Sequence, residues 1–110
     1  RHIYAQKVSL WATKLAQMKT QGTRVAVWGG GSKSGSFLNV LQVADNCPFV
    51  VDINPKKHGK FVPGTGQEII SPAGLVEYRP EVVILMNPIY EGEVSQLMGD
   101  LRLKSEILLA

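Results

Sequence analysis

The sequence predicts a single α/β domain in which helices cover both faces of a parallel β-sheet. Short β-branched apolar runs, typical of strands buried on both faces, alternate with segments whose apolar residues recur every three or four positions. The length of 110 residues and the hydrophobic content of 45% suit one domain with its own core. Right-handed connections between four such strands predict a three-layer domain with strand order 2-1-3-4.

An amphipathic helix is predicted first, over residues 3 to 19, ending at Gly22. Its apolar stripe contains Tyr4, Val8, Trp11, Leu15 and Met18. We divide the chain into this helix, residues 1–22, and a domain over residues 23–110. The stripe either packs on that domain or docks a domain that precedes it. Because no methionine precedes Arg1, we expect the chain to have been excised from a longer protein.

Four buried strands and three more helices are predicted after Gly22. The strands cover residues 24–28, 49–51, 82–86 and 106–109, and the first two of the helices cover residues 37–43 and Pro72 to about Arg79. Ser71 is the predicted N-cap of the second of these, because proline follows at the first helical position. The third helix runs from Glu91 to Leu101, and the stretch from Asn54 to Gly66 is expected to be a loop or an irregular hairpin.

Composition disfavours several classes of function. The net charge is +3, but Lys56, Lys57 and Lys60 form the only dense basic cluster, without interleaved aromatic residues, so a nucleic-acid partner is not expected. The single cysteine, Cys47, excludes an internal disulfide and a multi-cysteine metal site, and we expect it to be buried. No apolar run approaches the roughly 18 residues that cross a bilayer, so we expect no membrane contact and a cytoplasmic location.

Three segments are predicted to meet at the carboxyl ends of the strands, where open α/β sheets bind ligands. The glycine loop after the first strand contributes Gly29, Gly31, Ser32 and Lys33. Backbone N–H groups of the loop and the positive charge of Lys33 are suited to binding a phosphate group. The second strand is followed by Asp52 and Asn54, and the third by Asn87 and Tyr90. Asp52 has the spacing of a carboxylate that binds a ribose diol.

The glycine loop departs from the G-x-G-x-x-G fingerprint of Rossmann-like folds, because Ser34 occupies the third glycine position and Gly35 comes one residue late. Two readings stay open: the loop binds a nucleotide or phosphate-bearing ligand, or it is an ordinary strand-to-helix turn. The sequence shows no nucleophile paired with a general base, no paired carboxylates, and no His, Cys, Asp or Glu residues at the spacing of metal ligands. We therefore expect neither catalytic nor metal-binding residues.

Several segments together resemble the C-methyltransferase C-terminal domain. They include Val25 to Lys33, Phe37-Leu38-Asn39, Val51 to Pro55, Gly59-Lys60, Val62 to Gly66 and Met86 to Tyr90. The resemblance implies a Rossmann-like domain that follows an S-adenosylmethionine-binding domain in bacterial enzymes, several of which methylate dTDP-linked deoxysugars. It also implies that the upstream domain holds the cofactor and catalytic residues, and that this domain helps to form the nucleotide-sugar cleft. Class I methyltransferases place an acidic residue before the glycines of their cofactor loop, whereas Val27 and Trp28 stand here, so no cofactor is expected in this domain.

Three hypotheses follow. The first is a non-catalytic substrate-binding or structural domain of such a methyltransferase. The second is a stand-alone module that binds coenzyme A or a dinucleotide. The third is an interaction domain with a vestigial nucleotide site, which would present the stripe from Tyr4 to Met18 to a partner. The sugar, the methylated carbon and the oligomeric state are not predicted.

Overall fold

The computed structural model describes residues 2–29, 47–62, 66–86 and 88–109. Within these ranges a five-stranded sheet forms the centre of the molecule, and every neighbouring pair of strands is parallel. The strands are β1 (Val25–Trp28), β2 (Phe49–Val51), β3 (Glu68–Ile70), β4 (Val82–Leu85) and β5 (Glu106–Leu109). Their order in the sheet is β3-β2-β1-β4-β5. The predicted α/β class and parallel pairing are therefore confirmed.

The edge strand β3 corrects the prediction of four strands. The four predicted strands are β1, β2, β4 and β5, which keep the predicted relative order, and β3 is added beside β2. β3 has only three residues, and all three are half-buried. It therefore lacks the continuous buried apolar run that marks β1 and β4 in the sequence. Its backbone is held instead by residues before it, since the Gly59 N–H donates to the Ile69 carbonyl and the Ile69 N–H to the Lys60 carbonyl, both at 2.8 Å.

The segment that precedes β3 runs antiparallel to it. Phe61 and Glu68 form an isolated antiparallel bridge, and the Val62 N–H donates to the Gln67 carbonyl at 2.8 Å. The predicted irregular hairpin is thus present, although residues 63–65 lie outside the described ranges. This pairing covers part of the outer edge of β3, which would otherwise offer free backbone groups to another chain.

The N-terminal helix, α1, covers His2–Thr20. Gly22 ends it as predicted, in the left-handed region with φ of 71°. The Thr23 N–H donates to the Met18 carbonyl at 2.9 Å and the Gly22 N–H to the Lys19 carbonyl at 3.1 Å. This pair of bonds satisfies carbonyls at the helix end and needs a left-handed residue, which glycine adopts without a steric cost.

Two shorter helices flank β4. The helix α2 (Leu75–Tyr78) continues from a 3-10 turn at Pro72–Gly74, and α3 (Glu91–Asp100) continues from one at Pro88–Tyr90. Pro72 begins the first turn and Ser71 is its N-cap residue, as predicted, but the Ser71 side chain makes no capping hydrogen bond. The Ser71 backbone carbonyl is used instead, accepting from the Gly74 N–H at 3.0 Å in the tighter turn. The helix predicted over residues 37–43 lies outside the described ranges.

The core has two layers, one on each face of the sheet. Successive strand residues point to opposite faces, so Val25 and Val27 belong to one layer and Ala26 and Trp28 to the other. The helices add Trp11 and Leu15 from α1 to the first layer, and Leu75 from α2 with Val94 and Met98 from α3 to the second. The described elements thus form the predicted three-layer arrangement.

The helix α1 packs on the sheet through part of its predicted stripe. Trp11 and Leu15 are 3% and 1% exposed, so these two side chains are unavailable to a partner, contrary to the interaction-domain hypothesis. Cys47 is fully buried in the same layer, as predicted. Within the described ranges, no helix combines the length and the apolar character that crossing a bilayer requires.

Candidate functional site

The carboxyl ends of β1, β2 and β4 lie side by side. Trp28 at the end of β1 is paired with Val51 of β2 on one side and with Leu85 of β4 on the other. The chain passes from β1 toward β2 and β3, and then returns to the opposite side of β1 as β4. In open α/β sheets, ligands bind in a crevice at such a reversal, beyond the carboxyl ends of the strands. We call it the carboxyl-edge crevice.

Gly29 is the first residue beyond β1 in this crevice. Its N–H donates to the Val51 carbonyl at 3.0 Å, and its φ is 123°. A Cβ added there would lie 3.1 Å from the Cβ of Met86. The backbone conformation and the close Met86 side chain therefore favour glycine at this position whether or not a ligand approaches. The other predicted loop residues, Gly31, Ser32 and Lys33, lie outside the described ranges, and their ligand contacts stay a prediction.

Asp52 follows β2 on one side of the crevice and organises the turn there. Its Oδ1 accepts from the Asn54 N–H at 2.9 Å, and its Oδ2 lies 3.7 Å from the Lys57 Nζ. The side chain is 11% exposed, and the His58 Nε2–H donates to the Asp52 carbonyl oxygen. A carboxylate has about four acceptor sites, so one ligand hydroxyl could still bind. The turn accounts for an acidic residue here, and the predicted ribose contact stays a prediction.

Asn54, the second predicted residue on this side, caps the following turn. Its Oδ1 accepts from the Lys56 N–H at 3.1 Å and closes the N-terminus of the 3-10 turn Pro55–Lys57. Between the two capping residues lies Ile53, whose side chain is 71% exposed. Asp52 and Asn54 thus hydrogen-bond to the backbone of their own loop, whereas the apolar side chain of Ile53 faces solvent.

The loop after β4 forms the other side of the crevice. Asn87 lies outside the described residues, but Ile89 and Tyr90 are described and are 77% and 50% exposed. The helix α3 then begins with Glu91 and Glu93 in its first turn. Two carboxylates oppose the binding of an anion at this helix N-terminus. A phosphate group would therefore be favoured on the glycine-loop side.

The sequence-based prediction missed the two exposed isoleucines. Ile53 and Ile89 come just beyond β2 and β4, on opposite sides of Gly29, and both are more than two-thirds exposed. The signal available in the sequence was an apolar residue inside a polar turn that follows a buried strand. Within the described part of the chain, no three His, Cys, Asp or Glu side chains form a group that could hold a metal ion.

Comparison with protein families identifies the chain, since the model of the C-methyltransferase C-terminal domain matches residues 2–106. The chain belongs to this family. The match includes α1 and all the loops of the carboxyl-edge crevice. This C-methyltransferase C-terminal domain matches no curated protein sequence.

Solved structures with a similar fold include those of RSP, a Rex-family repressor. The complex of RSP with beta-NAD+ and operator DNA has a TM-score of 0.56 at 13% identity, over 80% of this chain and 49% of that chain. The structure of RSP itself has a TM-score of 0.56 at 12% identity, over 84% and 56%. The complex with beta-NADH has a TM-score of 0.56 at 11% identity, over 80% and 53%. The chain spans about half the length of these proteins, and the likeness shows a shared Rossmann-like fold.

Proposed function

We propose that this chain is the substrate-binding domain of an S-adenosylmethionine-dependent carbon methyltransferase that acts on a nucleotide sugar, such as a dTDP-linked deoxysugar. The observation that carries this proposal is the family match over residues 2–106. The nucleotide part of the substrate would bind in the carboxyl-edge crevice. The cofactor and the catalytic residues would belong to a preceding domain, and the enzyme would work in the cytoplasm.

The exposed apolar residues of the crevice support a nucleotide as its ligand. The strands that precede Ile53 and Ile89 both neighbour β1 and lie two strand spacings apart, about 10 Å. A base ring entering between such side chains would cover apolar surface at about 25 cal/mol per Å². The phosphates would then meet the glycine loop and Lys33, away from Glu91 and Glu93.

The direction of α1 supports a catalytic domain next to this crevice. Only residues 21–24 connect α1 to β1, so a helix that packs on the sheet must run antiparallel to the strand. The 19 residues of α1 make it about 28 Å long, whereas the four residues of β1 span about 13 Å. Because Trp11 and Leu15 pack on the sheet, residues 2–10 would extend past its carboxyl edge on these lengths. A domain joined to the start of α1 would therefore lie beside the crevice.

The residues at the glycine loop do not suit S-adenosylmethionine. Val27 and Trp28, which precede the glycines, are apolar and buried, and the Asp52 carboxylate already serves Asn54 and Lys57. S-adenosylmethionine, held by the preceding domain, would supply an electrophilic methyl group. A base of that domain would remove a proton next to a keto group of the sugar to create the carbon nucleophile. This chain would orient the substrate and take no part in the proton transfer.

Calorimetric titration of the full-length enzyme tests the proposal. We expect dTDP to bind, and the double variant Lys33→Ala, Tyr90→Phe to weaken binding by about tenfold or more, since contacts of charged groups with phosphate contribute about 1.5–3 kcal/mol. Lys60→Ala, which removes an exposed lysine beside the edge strand β3, is the matched control and should leave dTDP affinity unchanged. Equal affinities in wild type and double variant would refute the proposed role of Lys33 and Tyr90.

A dinucleotide is the second candidate ligand, because the similar RSP structures hold beta-NAD+ and beta-NADH. The same titration distinguishes the two candidates when NAD and coenzyme A replace dTDP. Binding of either with no response to dTDP would favour a dinucleotide or coenzyme A module and reject the nucleotide-sugar proposal. Asp52→Asn keeps an acceptor for the Asn54 N–H while removing the negative charge, and should weaken a ligand whose ribose diol it binds.

A further inference from the structure

A polar pocket lies at the edge of the sheet opposite the carboxyl-edge crevice, where β1, β4 and β5 begin. Its volume is about 370 Å³, and its lining residues are Arg24, Arg79, Pro80, Glu81, Leu103 and Lys104. Three positive charges and one negative charge give this lining a net charge of +2 at neutral pH. Just outside the lining, Arg102 precedes Leu103 and Glu106 begins β5, and the opposite charges of these two side chains leave the net charge of the region unchanged. We call this feature the amino-edge pocket.

Both guanidinium groups of the pocket are held in position by backbone carbonyls. The Arg24 Nε–H donates to the Arg79 carbonyl at 3.0 Å, and the Arg79 Nη2 donates to the Arg102 carbonyl at 3.3 Å. These acceptors are uncharged, so the contacts orient the two side chains without neutralising them. Each guanidinium has five N–H donors, and each therefore keeps donors for another acceptor.

The one carboxylate of the lining offsets the charge of Arg24. The Glu81 Oε1 accepts from the Arg24 backbone N–H at 3.0 Å and lies 3.6 Å from the Arg24 Nη1. Among the residues that the structure describes, Arg79 and Lys104 form no ion pair. The uncompensated positive charge of the pocket therefore belongs to these two side chains.

The backbone of Arg79 has a conformation that is unusual for a residue with a side chain. Its φ is 52°, in the left-handed region at the end of α2, where glycine is the commonest residue. An arginine pays a conformational cost there that glycine avoids. Glycine at this position would fit the backbone but would bring no charge to the pocket.

We infer that the amino-edge pocket is an anion site that binds a phosphate or diphosphate group between Arg79 and Lys104, with Arg24 at its wall. Oriented guanidinium donors match the oxygens of phosphate, and the lysine adds charge. The pocket volume of about 370 Å³ suits a phosphate or diphosphate group better than an extended acidic segment of a protein. This site is independent of the proposed function, because it lies a full strand length from the carboxyl-edge crevice.

Titration of the protein with inorganic pyrophosphate, followed by amide chemical shifts in NMR spectra, tests this inference. We expect saturable shifts at Arg24, Arg79 and Lys104 that weaken in 0.5 M NaCl, since partly exposed charges are screened. Arg79→Gly and Lys104→Glu should each raise the apparent Kd about tenfold or more. Lys60→Glu, the same charge change at the far side of β3, should change it less than twofold. Titration with dTDP then shows whether a nucleotide can supply the phosphate.

The outcomes separate clearly. Saturable shifts at the amino edge that are lost in both variants support the site. Shifts confined to residues 29 and 52–54, or the same Kd in Arg79→Gly, Lys104→Glu and wild type, overturn it. Two observations guard against misfolding as the cause of a loss: Arg79→Gly suits the left-handed backbone, and Lys104 is an exposed side chain. An unchanged dispersed spectrum of each variant without ligand is the check.

Discussion

Replacing Gly29 by alanine tests whether the folded chain itself favours glycine at the first position of the loop. The φ of 123° is a region that side-chain-bearing residues rarely adopt, and occupying it costs on the order of 1–3 kcal/mol. The new Cβ would also lie 3.1 Å from the Met86 Cβ, an overpacking that adds about 1 kcal/mol. Gly29→Ala should therefore lower the free energy of unfolding by about 2–4 kcal/mol, a large part of the roughly 5–15 kcal/mol typical of a domain.

Urea unfolding followed by tryptophan fluorescence measures this change directly. Trp11 and Trp28 are 3% and 6% exposed and belong to opposite core layers, so both faces of the sheet report on the transition. Gly92→Ala is the matched control. A Cβ added at Gly92 has nothing within 4 Å, and alanine in the helix α3 should raise the free energy of unfolding by about 0.5–1 kcal/mol.

A midpoint for Gly29→Ala equal to that of wild type would refute this reasoning. If such a stable variant also failed to bind dTDP, the glycine would be needed for close approach of a ligand rather than for packing beside β4.

Two further predictions concern the interior. The Tyr78 hydroxyl donates to the Val25 carbonyl at 3.0 Å, so Tyr78→Phe should cost about 1–2 kcal/mol in urea unfolding, and a change below about 0.5 kcal/mol would contradict that role. Burial raises the pKa of the Cys47 thiol to about 12, from an ordinary value of 9.0. The thiol of the unfolded chain ionises at lower pH than the buried thiol, so wild type should lose stability between pH 9 and pH 12. Its free energy of unfolding should fall by up to about 1.4 kcal/mol per pH unit more than that of Cys47→Ala. Equal slopes in the two proteins would argue against the raised pKa.

The buried strands were predictable because their residues face an apolar environment on both sides. Val25–Trp28 and Val82–Leu85 are buried at every position, which is the continuous apolar run that the sequence displays. Glu68–Ile70 is half-buried at every position and was missed. This strand exists because β2 and the segment from Gly59 to Val62 supply its hydrogen-bond partners, and no local pattern records them.

The topological switch point was predicted from the sequence, whereas the side chains exposed there were not. The alternation of strands and helices was enough to locate the switch point beside β1. The residue types were less informative, because Asp52 and Asn54 bond to the backbone of their own turn, whereas Ile53 and Ile89 are the side chains left exposed there. Turn chemistry and ligand recognition use the same polar residues, so a sequence pattern alone does not separate them.

The sequence by itself determined the α/β class, the helix end at Gly22 and the family resemblance, because each depends on local patterns and on their order along the chain. Only the tertiary structure decided the edge strand β3, the contact of Gly29 with Met86 and the grouping of Arg24, Arg79 and Lys104 at the amino edge. The three charged residues come from three different connections, up to 80 positions apart. The predicted strand order brings these connections to one edge of the sheet, but the hydrogen bonds that orient the Arg24 and Arg79 side chains there form only between distant segments of the folded chain.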